Sequence, residues 1–165
     1  LYPEHMTLFL QWYVIERPGD EEGIPPLRHA LAQGDVAPAD EEAARCLCRS
    51  HRSVFEVVRE SDTMLRLYDL VGDSFWAPRL ERPMVGVVRG EIFEARLLPW
   101  QGEVFLGPRV FFHPREAHDA IQALAQARGT AKTLDGTFVS DLAEMRLRHS
   151  RFRNISIDHI YRERA

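Results

Sequence analysis

The sequence has few of the residue patterns that mark chemistry. Only two cysteines, Cys46 and Cys48, occur among its 165 residues. In a helix, positions two apart point about 200° apart around the axis, so these thiols can neither pair with each other nor share a metal ion. There is also no Gly-x-Ser-x-Gly, Gly-x-Gly-x-x-Gly or phosphate-loop pattern. These absences leave no motif for a nucleophile or a nucleotide, and we predict no catalytic, cofactor-binding or metal-binding residue.

Two further absences concern location. No apolar run approaches the ~20 residues that a membrane-spanning helix needs, and no stretch has the basic start and apolar centre of a secretory signal. Unpaired thiols suit a reducing compartment. We therefore expect a cytoplasmic protein without membrane contact. Because the first residue is Leu1 rather than Met, we also expect this sequence to be a trimmed or processed piece.

The composition is that of a folded domain. Apolar residues make up 45% of the chain and charged residues 28%, which argues against disorder. A length of 165 residues suits one domain. The net charge of −4 and the pI of about 6.0 provide no global positive field for nucleic acid or anionic membranes. Any binding of that kind would need a local basic patch.

The pattern of apolar residues predicts an α+β domain spanning residues 1–165. Residues 53–112 contain about five segments with period-two alternation, separated by turn residues, which indicates a small antiparallel β-barrel or curled sheet. Residues 1–52 and 113–165 show helical spacing. The third predicted helix extends to about His51, and the tail that ends in Ile160 and Tyr161 is expected to dock on the body.

The first predicted helix is apolar nearly all round, so both of its sides should be covered. The helical repeat predicts one buried face, made of Met6, Phe9, Leu10, Tyr13 and Val14. The other side is covered either by helices of the same chain or by a protein partner. As a partner surface it would consist of Leu8, Trp12 and Ile15.

Four arginines cluster near the end of the last predicted helix: Arg146, Arg148, Arg151 and Arg153. With one glutamate, they give residues 144–153 a net charge of +3. One interpretation is a patch for phosphates or an acidic partner, with Trp76 and Trp100 as platforms for stacking bases. The other is that the arginines favour the negative end of the helix dipole and pair with the acidic segments 20–22 and 40–42.

Three other polar side chains have structural interpretations. Asp69 precedes a turn, and we predict that its carboxylate accepts hydrogen bonds from that turn rather than acting in catalysis. His113 and His118 flank a predicted helix start near Glu116 and Asp119. Ligands of one metal ion must converge at about 2 Å, and positions five apart at a helix start do not. We predict that His113 caps the helix.

One set of residues is similar to a known group of proteins. The set is Phe9-x-x-Trp12-Tyr13-Val14, Pro26-Leu27, Ser53-Val54-Phe55-Glu56-Val57, Leu67-x-Asp69-Leu70, Gly72, Gly90-Glu91 and Ala95-Arg96-Leu97. Over about residues 9–112 it resembles the non-zinc region of uncharacterised bacterial proteins, many of which carry a small SEC-C-type zinc motif. That motif is a close set of Cys and His ligands, and it is absent here. The resemblance implies a bacterial source and helices before a barrel-like stretch, but no activity and no zinc.

We therefore expect a non-enzymatic binding or protein-interaction module whose partner is a protein, either a second copy or another chain. The first alternative is a nucleic-acid-binding domain that uses the arginine cluster beside the sheet. The second alternative is an enzyme whose site is assembled from residues distant in sequence.

Overall fold

The structure, a computed structural model, describes residues 2–19, 23–130 and 136–162. Its strands are β1 (His51–Glu60), β2 (Leu65–Asp69), β3 (Ser74–Trp76), β4 (Ile92–Trp100) and β5 (Glu103–Phe112). Its helices are α1 (Tyr2–Ile15), α2 (Pro26–Gln33), α3 (Glu41–Cys48), α4 (His118–Thr130), α5 (Gly136–Arg151) and α6 (Ile157–Ile160), with a 3-10 turn at Arg115–Ala117.

The five strands form one antiparallel sheet in the order β3-β2-β1-β4-β5. The α+β class and the five strands are thus confirmed. The sheet does not close into a barrel, because β3 and β5 lie at opposite edges. Arg79, in the connection between β3 and β4, forms isolated β-bridges with Met64 and with Phe105 of β5.

Each face of the sheet has its own apolar core. Val54 and Ile92 face α4 and α5 and pack with residues such as Ile121 and Leu142. Phe55 and Val57 of β1 point to the opposite face, as the period of a strand requires. There the β3–β4 connection supplies the cover, through apolar side chains that include Leu80, Met84 and Val87.

Two boundary predictions can be compared with the structure. The third helix was expected to reach His51, but α3 ends at Cys48 and His51 already pairs with Leu97 of β4. Strand pairing therefore prevails over local helix propensity at this position. The tail prediction is confirmed, because Ile160 and Tyr161 are buried. The acidic segment 20–22 lies outside the described residues.

Among the described residues, no helix combines the length and apolar character needed to cross a membrane.

Candidate functional site

The structure reverses the predicted faces of α1. Leu8 and Ile15 are 2% and 7% exposed, and Trp12 is half-buried, so the predicted partner surface of Leu8, Trp12 and Ile15 is wrong. Leu8 packs against Phe111 of β5 and Ala143 of α5. The helical repeat does not show which side of α1 is buried, because both sides are apolar. The buried side is the one that fits the sheet.

The side of α1 predicted to be buried is largely exposed. Phe9, Leu10, Tyr13 and Val14 are between 39% and 53% exposed. We call these four residues the outer face of α1. The Phe9 ring lies 6.4 Å from the Tyr13 ring, and the Arg17 guanidinium lies 4.9 Å from the centre of the Tyr13 ring. The outer face is thus a continuous apolar and aromatic surface on one helix.

A buried ion pair attaches the C-terminal end of α1 to the sheet. Arg96 on β4 is only 2% exposed, and its Nη2 donates a hydrogen bond to the Glu16 carboxylate. Its Nη1 donates to Ser50 Oγ at 2.9 Å. A buried guanidinium is tolerated only when it is paired and hydrogen-bonded, so this pair helps to hold the C-terminal end of α1 against the sheet.

A second ion pair adjoins the first. Arg52 Nε donates to Glu94 Oε1 at 2.7 Å, and Arg52 Nη1 lies 3.7 Å from Glu16 Oε2. Burial raises the pKa of Glu94, while the Arg52 charge opposes that shift. Two arginines and two glutamates thus form one charge-balanced network, which holds α1 against β1 and β4.

The structure separates the members of the predicted arginine cluster. Arg146 donates from Nε to the Phe112 carbonyl at 2.9 Å, at the edge of β5. Arg148, Arg151 and Arg153 are exposed and form no ion pair with another described residue. Of the acidic segments expected to pair with them, 20–22 lies outside the described residues and Glu41 pairs with Arg45.

The two proposed stacking tryptophans are half-buried. The ring of Trp76 is stacked on His51 with centroids 5.2 Å apart, and its Nε1 donates to Ser74 Oγ. Trp100 is at the end of β4. Neither tryptophan presents a fully open ring beside the arginines of α5.

Asp69 is a fully buried acceptor of hydrogen bonds. The backbone N–H groups of Val71 and Gly72 donate to Oδ1 at 2.9 and 3.0 Å, which confirms the predicted turn role. Ser53 Oγ also bonds to Oδ1, and His51 Nε2 lies 2.6 Å from Oδ2. Burial on its own would raise the pKa of Asp69, but the hydrogen bonds from His51, Ser53 and the two amides outweigh it and lower the pKa.

These contacts do not form a nucleophile–base–acid relay. Such a relay needs the hydroxyl on the imidazole nitrogen that is remote from the carboxylate. Ser53 instead bonds to the Asp69 carboxylate, on a different oxygen from His51. The arrangement stabilises a strand end and its turn.

The prediction that His113 caps a helix is wrong. His113 is only 3% exposed, and its Nδ1 lies 3.3 Å from the Tyr161 hydroxyl of the docked tail. Burial, together with the charges of Arg146 and His118, lowers the pKa of His113 to about 3. No group of three or more His, Cys, Asp or Glu residues in the described part of the chain is arranged to hold a metal ion.

His113 predicts a dependence of stability on pH. Its pKa is about 3 in the folded protein against 6.5 for the unperturbed group, so the unfolded chain binds more protons between these values. Stability should therefore fall as the pH drops below 6.5, by about 2 kcal/mol at pH 5. Urea titrations at pH 7 and pH 5 should show a smaller loss for His113→Gln than for the wild type. The exposed His29→Gln should behave like the wild type, and an equal loss in His113→Gln would contradict the assignment.

Cys46 is the more buried of the two thiols, and its Sγ donates to the Pro99 carbonyl at 2.9 Å. Burial raises the pKa of this thiol, which reduces its reactivity.

Sequence reasoning missed the ionic network under α1. The alternation of Glu94 and Arg96 with Phe93, Ala95 and Leu97 is typical of a strand with one solvated face. Glu94 and Arg96 are nevertheless 1% and 2% exposed, because the polar face of the strand lies beneath α1. No local signal in β4 identifies this burial.

No protein-family model matches the chain, and neither a curated protein nor a solved structure does so. The resemblance of residues 9–112 to the non-zinc region of SEC-C-bearing proteins therefore stays a prediction.

Proposed function

We propose that this protein is a non-enzymatic protein-interaction module and that its contact surface is the outer face of α1. The single observation that carries the proposal is the exposure of Phe9, Leu10, Tyr13 and Val14 side by side on one helix. A contiguous exposed apolar patch of this size on a folded protein is often an interaction site. The four side chains carry no charge, and the Arg17 guanidinium over the Tyr13 ring adds one cation at the C-terminal end, so the complementary surface is mainly apolar.

The anchoring of α1 supports the same proposal. The opposite side of the helix is fastened by Leu8 in the core and by the Glu16–Arg96 ion pair. A helix held in this way presents its outer face without the entropy loss of ordering a flexible segment on binding.

The size of the outer face favours an apolar segment of another protein over a second copy of this chain. Four half-exposed side chains provide a patch on the order of a few hundred Å². A stable protein–protein interface buries about 800 Å² on each partner. An amphipathic helix that places a few apolar side chains on α1 suits the smaller area.

The proposal predicts a loss of partner binding in Leu10→Glu. A photo-crosslinking residue at position 10 in bacterial cells would identify the partner, which would then be purified and titrated by calorimetry. Leu10→Glu should weaken the affinity by at least about tenfold, or about 1.4 kcal/mol. Val85→Glu, at a 99% exposed apolar position, is the matched control and should bind like the wild type.

Three results would count against this proposal. The first is that Leu10→Glu and Val85→Glu weaken partner binding equally. The second is that crosslinkers at positions 10 and 85 capture the same proteins. The third is a dimer in light scattering that Leu10→Glu dissociates, because the outer face would then be filled by a second copy.

The second candidate function is nucleic-acid binding, and the specific observation that favours it is the exposure of Arg148, Arg151 and Arg153 without described ion pairs. Phe152, between the last two, is 49% exposed and adds an aromatic surface. Three phosphate contacts on a single strand would give a slope of about −2 in log affinity against log salt.

Fluorescence anisotropy with labelled single-stranded RNA and DNA tests this second function. Arg148→Glu/Arg151→Glu should abolish binding at physiological salt. At low salt, the slope of log affinity against log salt should have a magnitude of less than about 1 in this variant. Arg82→Glu/Arg109→Glu makes the same change in charge at two other exposed arginines and should retain binding. If the two double variants lose equal affinity for RNA and DNA, the arginines act only through the net charge of the protein, and this candidate function is excluded.

Two expectations remain, the cellular location and the enzyme alternative. We place the module in the bacterial cytosol, on the basis of the two free thiols and the resemblance given above. The enzyme alternative has no specific observation in its favour.

A further inference from the structure

A pocket of about 560 Å³ lies at the end of the sheet where β1, β2 and β3 meet. Its volume is within the range of small-ligand sites. We call it the β2–β3 edge pocket, and its walls come from the end of β1, the β1–β2 turn, β2 and β3. The lining side chains on which binding would depend are Arg59, Glu60, Met64, Arg66 and Phe75.

Two arginines lie directly opposite each other at this pocket. Arg59 of β1 and Arg66 of β2 are cross-strand partners, and both are exposed. Neither forms an ion pair with another residue in the described ranges. Like charges directly opposite each other on a sheet destabilise it, and an anion between them would relieve that repulsion.

A β-bulge creates this arrangement. The pairing of β1 with β2 shifts by one residue between Val57 and Arg59. Without the shift, Arg59 would be opposite Leu65, whose side chain is in the apolar core. Bulges commonly redirect a side chain beside a functional site, and this one brings Arg59 to the face that carries Arg66.

The pocket also has an open aromatic surface. Phe75 on the edge strand β3 is 60% exposed, and its ring lies 5.1 Å from the Tyr68 ring. The Arg66 guanidinium lies over the Phe75 ring, 5.3 Å from its centre, so a base that stacks on Phe75 either displaces Arg66 from this ring face or uses the opposite one. Met64, 45% exposed, adds apolar surface.

The net charge of the lining favours an anion. Arg59 and Arg66 against Glu60 give +1, in a chain whose net charge is −4. Arginine binds phosphate oxygens in bidentate fashion, and an aromatic side chain stacks on any nucleobase. Inorganic anions would use only the arginines, whereas a nucleotide would use both features.

We propose that the β2–β3 edge pocket binds a nucleotide unit, with its phosphate between Arg59 and Arg66 and its base on Phe75. The unit is either a free nucleotide or one member of a single-stranded nucleic acid. This site shares no residue with the outer face of α1 or with Arg148, Arg151 and Arg153. A negative result for either function proposed above would therefore not contradict this nucleotide site.

The test is calorimetric titration of the full chain with AMP, UMP, inorganic phosphate and an unlabelled six-nucleotide RNA. Both mononucleotides should bind more tightly than phosphate, and Arg66→Gln should weaken them at least about fivefold. Phe75→Leu retains an apolar side chain without a ring and should weaken the mononucleotides while leaving phosphate binding unchanged. Arg79→Gln, at an exposed arginine paired with Glu103, should behave like the wild type.

The RNA arm separates the two sources. An RNA affinity at least tenfold above that of UMP, lost in Phe75→Leu, assigns the site to a single strand, whereas equal affinities assign it to a free nucleotide. Retention of RNA binding in Arg148→Glu/Arg151→Glu would show that the pocket acts independently of α5. The proposal is overturned if mononucleotides bind no better than phosphate, or if Phe75→Leu or Arg66→Gln has no larger effect than Arg79→Gln.

A stability measurement distinguishes a binding role from a structural one. If Arg59 and Arg66 repel each other in the free protein, Arg59→Gln should raise the urea midpoint and weaken AMP binding together. A purely structural Arg59 would give a lower midpoint, which would contradict the proposal. Because Arg59 is exposed, this variant should fold.

Discussion

Replacing Arg96 by Met should lower the free energy of unfolding by about 3–5 kcal/mol. Arg96 is 2% exposed and bonds to both Glu16 and Ser50. Methionine keeps most of the apolar stem, so the loss reports the guanidinium. Among the described residues, the substitution leaves the Glu16 carboxylate with one ion-pair partner, Arg52 Nη1, at 3.7 Å. Urea denaturation followed by circular dichroism would give the change in midpoint at constant m-value.

An exposed ion pair supplies the matched control for Arg96. Arg79 Nη1 and Glu103 Oε2 lie 2.9 Å apart, but their side chains are 60% and 47% exposed. Arg79→Met should therefore change stability by less than about 1 kcal/mol. The double variant Arg96→Met/Glu16→Met removes both charges and should recover at least about 1 kcal/mol of the single loss. If the losses of stability in Arg96→Met and Glu16→Met add up to the loss in the double variant, the ion pair does not carry the effect.

The Arg96 result also bears on the interaction surface. Loss of the Glu16–Arg96 pair should loosen the C-terminal end of α1 on the sheet. Partner binding by the outer face of α1 should then weaken even though none of its residues has changed, because a loosened helix must be ordered on binding. Hydrogen exchange of the α1 amides should increase in the same variant.

Replacing Asp69 by Ala should destabilise the protein by about 4 kcal/mol, since it removes a fully buried acceptor of four hydrogen bonds. The donors are the amides of Val71 and Gly72, the Ser53 hydroxyl and the His51 ring. Because the pKa of Asp69 is lowered in the folded state, its contribution is present above about pH 4 and is lost as the pH falls through the folded pKa. The difference between wild type and variant should therefore shrink in acid.

Two further variants test the Asp69 site. A Cβ atom at Gly72 would lie 2.8 Å from Asp69 Oδ2, so Gly72→Ala should cause a smaller loss in the same direction. Asp73 is exposed and accepts a hydrogen bond from Tyr68 at 2.6 Å. Asp73→Asn, which tolerates the φ of 45° at this position, should cost less than about 1 kcal/mol. A comparable loss at Asp69 and Asp73 would show that burial of the acceptor does not matter.

The sequence determined the local elements of this protein. Period-two alternation around Phe93, Ala95 and Leu97 predicts β4, and an aspartate before Val71-Gly72 predicts the carboxylate–amide turn at the end of β2. These features depend on neighbours a few residues apart, whose preferences are read directly from residue type.

Only the tertiary structure decided which surfaces are free. Both sides of α1 are apolar, and Leu8 is buried because it fits Phe111 and Ala143, which are more than 100 residues away in the chain. Arg96 and Arg151 are the same residue type, yet one is covered by α1 and the other is exposed. The juxtaposition of Arg59 and Arg66 likewise depends on a one-residue shift in strand pairing. Burial and charge pairing depend on contacts between distant segments, and a single sequence does not encode those distances in any local pattern.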